Sequence, residues 1–206
     1  VSPASLPADN TSVATVTVTL RDPAGTPVTG KSVSISSSRM AIDVIAPGSA
    51  TTTGAGTALF TVKSATAGQS TITAIDLTSN LTLPQTAFVT FLSGNTSASQ
   101  SSAVVSPGSV PVGGMATVTV SLRDANANPL AGKEVRLTSN RSSNDTISPA
   151  VAGTNASGVA SFNISSTLAG TSILTATVTT DNVTLADRKS TRLNSSHVSE
   201  SRMPSS

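Results

Sequence analysis

One long pattern occurs twice in this chain with no gap inside it. "ATVTVTLRDPAGTPVTGKSVSI", Ala14 to Ile35, aligns with "ATVTVSLRDANANPLAGKEVRL", Ala116 to Leu137, at an offset of 102 residues. The same offset pairs Gly56 with Gly158, Phe60 with Phe162, Ser64 with Ser166, Gly68 with Gly170, and Thr73-Ala74 with Thr175-Ala176. A repeat of this length makes each copy one structural unit, so the 206 residues read as two domains of one design. Only the leading segment slips. "VSPASLP" at Val1 matches "VSPGSVP" at Val105 with two extra residues of offset, a length change that a surface loop absorbs.

Within each copy the apolar residues alternate. Thr15 to Leu20 places Val16, Val18 and Leu20 on one face and three threonines on the other, the mark of a strand with one buried face. The alternation recurs at Val33/Ile35, Met40/Ile42/Val44, Ala58/Phe60/Val62, Ile72/Ala74 and Ala87/Val89/Phe91. Between these runs stand Asp22-Pro23-Ala24-Gly25, Pro47-Gly48, Gly54-Ala55-Gly56 and Ala67-Gly68, whose residues supply the fixed or positive φ that turns require. No segment carries a 3.6-residue apolar period, so helices are not expected. Six or seven short strands, each wet on one face, must cover the other with a second sheet. The fold class is therefore all-β, two tandem immunoglobulin-like sandwiches.

Composition limits what fills those sandwiches. Aromatic residues make up 2% of the chain, four Phe with neither Trp nor Tyr, while Ser and Thr together are about a third of it. The cores must therefore be built from Val, Ile, Leu and Ala, with Phe60 and Phe162 the costliest positions to truncate. Cys is absent, which excludes a disulfide framework and thiolate chemistry. No apolar run approaches the roughly 18 residues of a membrane-spanning helix. The chain opens at Val1 rather than Met and reads as an internal fragment whose targeting signals, if any, lie elsewhere.

The net charge of +2 is unevenly spread: Arg188, Lys189, Arg192 and Arg202 face Glu200 alone after residue 187, and the rest holds eight basic and nine acidic residues. A near-neutral body gives no phosphate-binding surface, and no aromatic residue interleaves the basic ones to stack bases.

The order and spacing of these motifs resemble the bacterial Ig-like domain of group 1, the module repeated along invasin- and intimin-type surface proteins. The resemblance rests on Val16 to Asp22, Gly25-Thr26-Pro27-Val28-Thr29-Gly30, Gly56-Thr57-Ala58-Leu59-Phe60, and Ala67-Gly68 before Thr71-Ile72-Thr73-Ala74. In the second copy it rests on Leu122-Arg123-Asp124, Asn128 to Gly132, Gly158 to Phe162, and Ala169-Gly170 before Leu174-Thr175-Ala176. Asn128 stands where a turn Gly is usual, and Asn can still adopt the left-handed conformation. The resemblance implies a non-catalytic spacer or stalk module of a bacterial cell-surface or secreted adhesin. It implies an extracellular place, with outer-membrane anchoring through parts outside this chain, neighbouring Ig-like repeats as partners, and no cofactor. The alternatives are a module that recognises glycan or host protein through end loops such as Ser37-Ser38-Arg39 and Asn140 to Asp145, or an accessory β-domain of a larger extracellular enzyme.

Candidate chemistry is sparse. His197 is the only histidine and lies outside both copies, so no nucleophile–base pair is available to it. Asp22 and Asp124 each end a strand beside Arg21 or Arg123 and could donate an oxygen to Ca²⁺; no Asp-x-Asp run supports them, and an Asp accepting a turn N–H explains the position equally. Nine of the eleven asparagines fall in Asn-x-Ser/Thr, which turn asparagines before Thr-rich strands produce without glycosylation.

The expected domains are 1–94, with a truncated first strand, a linker over 95–102 within the flexible-looking "SGNTSASQSS", and an incomplete 103–187. The last strand of copy one, Ala87 to Phe91, demands an apolar alternating strand at 189–193, where the chain has Lys189-Ser190-Thr191-Arg192-Leu193. Copy two is therefore expected to lack its native last strand and to expose an edge. Residues 188–206 are expected to form a disordered tail of non-native sequence, similar to translated adapter.

Overall fold

The computed structural model describes residues 1–185 and the backbone of 191–194. The chain divides into Val1–Gly94 and Asn95–Ser206, and among the described residues regular structure is all strand.

Unit 1 holds β1 (Ser5–Pro7), β2 (Ala14–Thr19), β3 (Ser32–Ser37), β4 (Asp43–Ala46), β5 (Ala50–Thr51), β6 (Thr57–Ser64), β7 (Gly68–Asp76) and β8 (Leu81–Leu92). They form two sheets, β1-β8-β7-β3-β5 and β2-β6-β4. The alternating residues read from the sequence meet between them: Val16, Val18 and Leu20 from β2 and its end, Ala58, Phe60 and Val62 from β6, and Val33, Ile35, Ile72, Val89 and Phe91 from the facing sheet are all buried in one cluster. Threonines on the outer face of β2 remain in water, where β-branched side chains suit the pleat.

Unit 2 holds β9 (Ser102–Ser106), β10 (Ser109–Pro111), β11 (Met115–Ser121), β12 (Glu134–Ser139), β13 (Asp145–Ser148), β14 (Val151–Gly153), β15 (Val159–Ser166), β16 (Gly170–Ser172), β17 (Leu174–Val178), β18 (Val183–Leu185) and β19 (Thr191–Asn194). One sheet is β13-β15-β11-β9, and the other is split into β14-β12-β17-β18 and β10-β19-β16. Its core repeats that of unit 1 around Phe162, with Val118, Val120, Leu122, Val135, Leu137 and Ile164.

The turn between the two sheets explains one glycine of the repeat. Leu20 N–H donates to Gly56 O at 2.8 Å, and Val28 N–H to Leu20 O at 3.0 Å; in unit 2, Leu122 and Leu130 make the same bonds with Gly158 and Leu122, at 2.8 and 3.1 Å. A Cβ on Gly56 would lie 2.5 Å from Leu20 O, and one on Gly158 2.5 Å from Leu122 O, at φ values of +73° and +76°. Only glycine allows this approach.

Four expectations change. Met40 and Ile42 are not strand residues facing a core but exposed turn positions. The amides of Ile42 and Asp43 both close on Arg39 O, at 3.0 and 2.9 Å, and the strand that follows buries Asp43 instead. The left-handed residue of the second hairpin turn is Ala127, φ 64°, and not Asn128; Asn128 is buried and its Nδ2 donates to Asp124 Oδ2 at 3.0 Å. The polar run after Ser93 is tied to unit 2: Ser97 N–H donates to Arg123 O at 2.8 Å, Ser101 N–H to Ser97 O at 3.0 Å, and Arg123 N–H to Ser101 Oγ at 3.0 Å.

The fourth change concerns the last strand of copy two. A strand does form at Thr191–Asn194, pairing Arg192 with Ser109 and Leu193 with Val110 in parallel, as Thr90 pairs with Ser5 and Phe91 with Leu6 in unit 1. The edge expected to be open there is covered. Main-chain groups make this ladder whatever the side chains, and Leu193 holds the register place of Phe91. The tail residues 188–190 and 195–206 lie outside the described residues.

Phe60 and Phe162 are 1% exposed each, in cores that are aliphatic apart from them and Phe91. Phe60→Ala or Phe162→Ala is expected to lower the stability of its own unit by about 3–5 kcal/mol, measured by urea unfolding followed through backbone NMR signals of each unit. A loss below about 1 kcal/mol would show that the cores are not organised around these rings.

Candidate functional site

The chemically richest place in each unit is a buried carboxylate at the start of the fourth strand of the repeat. Asp43 Oδ2 accepts from Ser37 Oγ and from Ser70 Oγ, both at 2.5 Å, and Arg39 Nη2 stands 3.4 Å from Asp43 Oδ1. Ser37 comes from the end of β3, Ser70 from β7 and Asp43 from β4, so the cluster ties one sheet to the other. The guanidinium also donates to Ser64 Oγ at 3.2 Å and Thr66 O at 2.6 Å, and lies over the Phe91 ring, 5.9 Å from its centroid. In the short stretch Ser37-Ser38-Arg39, which looks like a loop tip in sequence, Ser37 and Arg39 thus turn inward while Ser38 stays exposed.

Unit 2 repeats the cluster at an offset of 102. Asp145 Oδ2 accepts from Ser139 Oγ at 2.5 Å, with Ser166 and Ser172 as further hydroxyl partners and Arg141 as the nearby cation. Arg141 bonds Ser166 Oγ and Ser172 Oγ at 3.4 and 3.5 Å and reaches Leu168 O. Gly68 and Gly170 are the floor of these two guanidinium sites: each has a positive φ, 134° and 148°, and a Cβ on either would collide with the arginine above it. That is the physical content of the Ala-Gly motif.

Burial pushes the Asp145 carboxyl up, but its serine hydroxyls and Arg141 outweigh that and hold it below the ordinary Asp range. A buried anion held through Oδ2 by hydroxyls of neighbouring strands, with Oδ1 left without a hydrogen-bond partner, is a structural part. Removing one donor leaves an expensive hole.

A third site ties down the segment before unit 2's first strand. Thr96 N–H and Thr96 Oγ1 donate to Asp181 Oδ2 at 3.1 and 2.5 Å, and Lys133 Nζ donates to Asp181 Oδ1 at 2.6 Å. Burial raises the Asp181 pKa, and the Lys133 and Thr96 bonds more than reverse it, leaving the carboxyl low. The matching place in unit 1 has Ser79, which accepts from Lys31 Nζ at 3.0 Å.

Asp22 and Asp124, weighed from sequence as turn residues against calcium ligands, are held by their own turns. Asp22 Oδ1 accepts from the amides of Ala24 and Thr26 at 2.9 and 2.8 Å, and Asp124 Oδ1 from those of Asn126 and Asn128, both at 2.9 Å. Among the described residues no group of three or more His, Cys, Asp or Glu is gathered in a way that could hold a metal ion. The sequence reading missed the Asp43 and Asp145 clusters, although Ser37, Arg39, Asp43, Ser64, Gly68 and Ser70 each recur 102 residues on.

The low Asp145 pKa sets a sign for pH dependence. Its contribution is whole above about pH 4, the ordinary range of an unfolded Asp, and is lost as pH falls through the lower folded value. Unit 2 is therefore expected to lose stability on acidification below about pH 4, with part of that slope absent in Asp145→Asn. Ser139→Ala is expected to cost about 1–3 kcal/mol at neutral pH. An unchanged acid slope in Asp145→Asn, followed by unit 2 amide signals, would contradict this account.

The model of the bacterial Ig-like domain (group 1) matches residues 1–92 and 113–192. No curated protein matches the chain. Among solved structures, Yersinia pseudotuberculosis InvD is similar over 94% of this chain and 55% of its own, at 22% identity and a TM-score of 0.70. The Escherichia coli adhesin FdeC is similar over 94% of this chain and 62% of its own, at 18% identity and a TM-score of 0.53. The chain thus spans somewhat over half the length of these two. With both halves matched and the same buried cluster in each, the chain belongs to the bacterial Ig-like domain (group 1) family.

Proposed function

We propose that the two units are non-catalytic spacer modules of a bacterial surface or secreted adhesin, exposed outside the cell and joined to further Ig-like repeats. The observation that carries this reading is where the polar chemistry goes. The buried carboxylates of both copies are used to fasten one sheet to the other, with the same serine, arginine and glycine partners. The Thr96–Asp181–Lys133 contact fastens the connecting segment to the unit that follows. These arrangements suit a part whose task is to hold its form. FdeC, similar in fold, is an adhesin.

The reading in which end loops recognise glycan or host protein has less support than the sequence suggested. Two of the loops that carried it, at Ser37 to Arg39 and Asn140 to Asp145, are anchored inward by the same residues in both copies.

A display series tests the proposal: a small binding tip is separated from the bacterial surface by zero, one or two copies of this chain. Attachment to an immobilised ligand is expected to rise with copy number while the tip's affinity for soluble ligand stays constant. The chain without the tip is expected to give no saturable binding to host cells or a glycan array. Attachment independent of copy number, or saturable binding by the chain alone that is lost on exchanging its end loops, would overturn the proposal.

A further inference from the structure

Between β8 and β9 the chain is fastened to unit 2 through polar groups. Thr96 N–H and Thr96 Oγ1 both donate to Asp181 Oδ2, and Ser97 N–H donates to Arg123 O at 2.8 Å. Ser101 Oγ accepts from Arg123 N–H at 3.0 Å and donates to Arg123 O at 3.3 Å. Ala98, Ser99 and Gln100 between these anchors are exposed, and none of residues 96–101 belongs to the core cluster of unit 2. The strand that follows is held differently. Five residue pairs join β9 to β11, and Val105 is buried in the core.

The anchors store chain length. Ser97 and Ser101 both reach Arg123 O, at 2.8 and 3.3 Å, and Ser101 N–H closes on Ser97 O at 3.0 Å. The two ends of this five-residue turn therefore lie within about 6 Å of each other, whereas the same residues drawn straight span about 14 Å.

Opening the turn leaves no orphaned charge behind. Asp181 keeps Lys133, whose Nζ stands 2.6 Å from its Oδ1, so the carboxylate is not left unpaired. The freed groups of Thr96, Ser97 and Ser101 exchange protein hydrogen bonds for those of water. In unit 1 the place of Asp181 is taken by Ser79, which accepts from Lys31. The anion that holds Thr96 thus belongs to this junction and not to the repeat.

We propose that residues 96–101 are a releasable strap. Tension arriving along the chain from β8 frees Thr96 from Asp181, then Ser97 and Ser101 from Arg123, and lets out the stored length while β9 and the core of unit 2 stay in place. The order follows from the chain, because load from that side reaches Thr96 first and β9 last. It follows also from the bonding, because segments with few buried apolar contacts open before those with many. The source of the load rests on the spacer reading; the strap itself does not.

Two variants of the whole chain test this. Asp181→Ser supplies the residue of unit 1, and Thr96→Val removes the hydroxyl donor at nearly constant volume. In native-state amide exchange, protection at Ser97, Ser101 and Arg123 is expected to be at least about tenfold lower than at the amides joining β9 to β11. In either variant it is expected to fall by a further factor of about three or more, with Phe162 and Ile164 unchanged. In a force clamp with handles at Val1 and Ser206, the parent chain is expected to show a reversible step of up to about 1 nm before either unit unfolds, and Asp181→Ser to lack it. Strap amides that open only together with the β9–β11 amides, exchange unaffected by Asp181→Ser, or a parent chain that first lengthens by unfolding a unit would each overturn the proposal. Strap opening in a chain that fails the display series would remove the spacer reading and leave the strap standing.

Discussion

The longer strands of these units, such as β2, β3, β6, β7, β11, β12 and β15, each bury a single row of alternating side chains, and the two sheets of each unit pack where those rows meet. With aromatic residues this scarce, the contact is made by Val, Ile, Leu and Ala around one or two phenylalanines, Phe60 and Phe91 in unit 1 and Phe162 in unit 2. Small side chains fill space well but remove little apolar area each from water. A lean core of this kind gains from a polar tie that spans it.

The Asp43 and Asp145 clusters supply that tie. Each draws serine hydroxyls of the facing sheet onto a carboxylate of the other and lays an arginine over a glycine beside it. The arrangement also accounts for residues that sequence motifs record without a cause. Gly68 and Gly170 leave room for a guanidinium, and Gly56 and Gly158 leave room for the carbonyls of Leu20 and Leu122. In both cases the glycine is required by something packed against it as well as by its own φ.

Much of this was legible in the residues. Strict alternation identified β2, β3, β6 and β7 together with their inward faces, because one buried face per strand leaves a period of two. It failed at Met40 to Val44, where an apolar alternation lies on a turn and the inward residue is an aspartate. It failed again at Thr191–Asn194, where main-chain pairing makes a strand that the side chains do not announce. The clusters were hidden for a different reason. Ser, Arg and Asp before a turn look like a solvated loop tip, and only their joint recurrence 102 residues later separates them from one. The polar run after Ser93 is similar: its composition suggests freedom, yet Thr96 and Ser101 are buried and bonded to unit 2.

The central claim is that one frame is built twice, so that corresponding positions carry corresponding loads. Residue-resolved amide exchange under native conditions tests this most directly. The account predicts that protection ranks alike along the two copies at the 102-residue offset, with the amides of Phe60 and Phe162 and of Val62 and Ile164 among the slowest in each. Two units with unrelated protection patterns, or with the fast-exchanging positions of one matching the slow positions of the other, would contradict it.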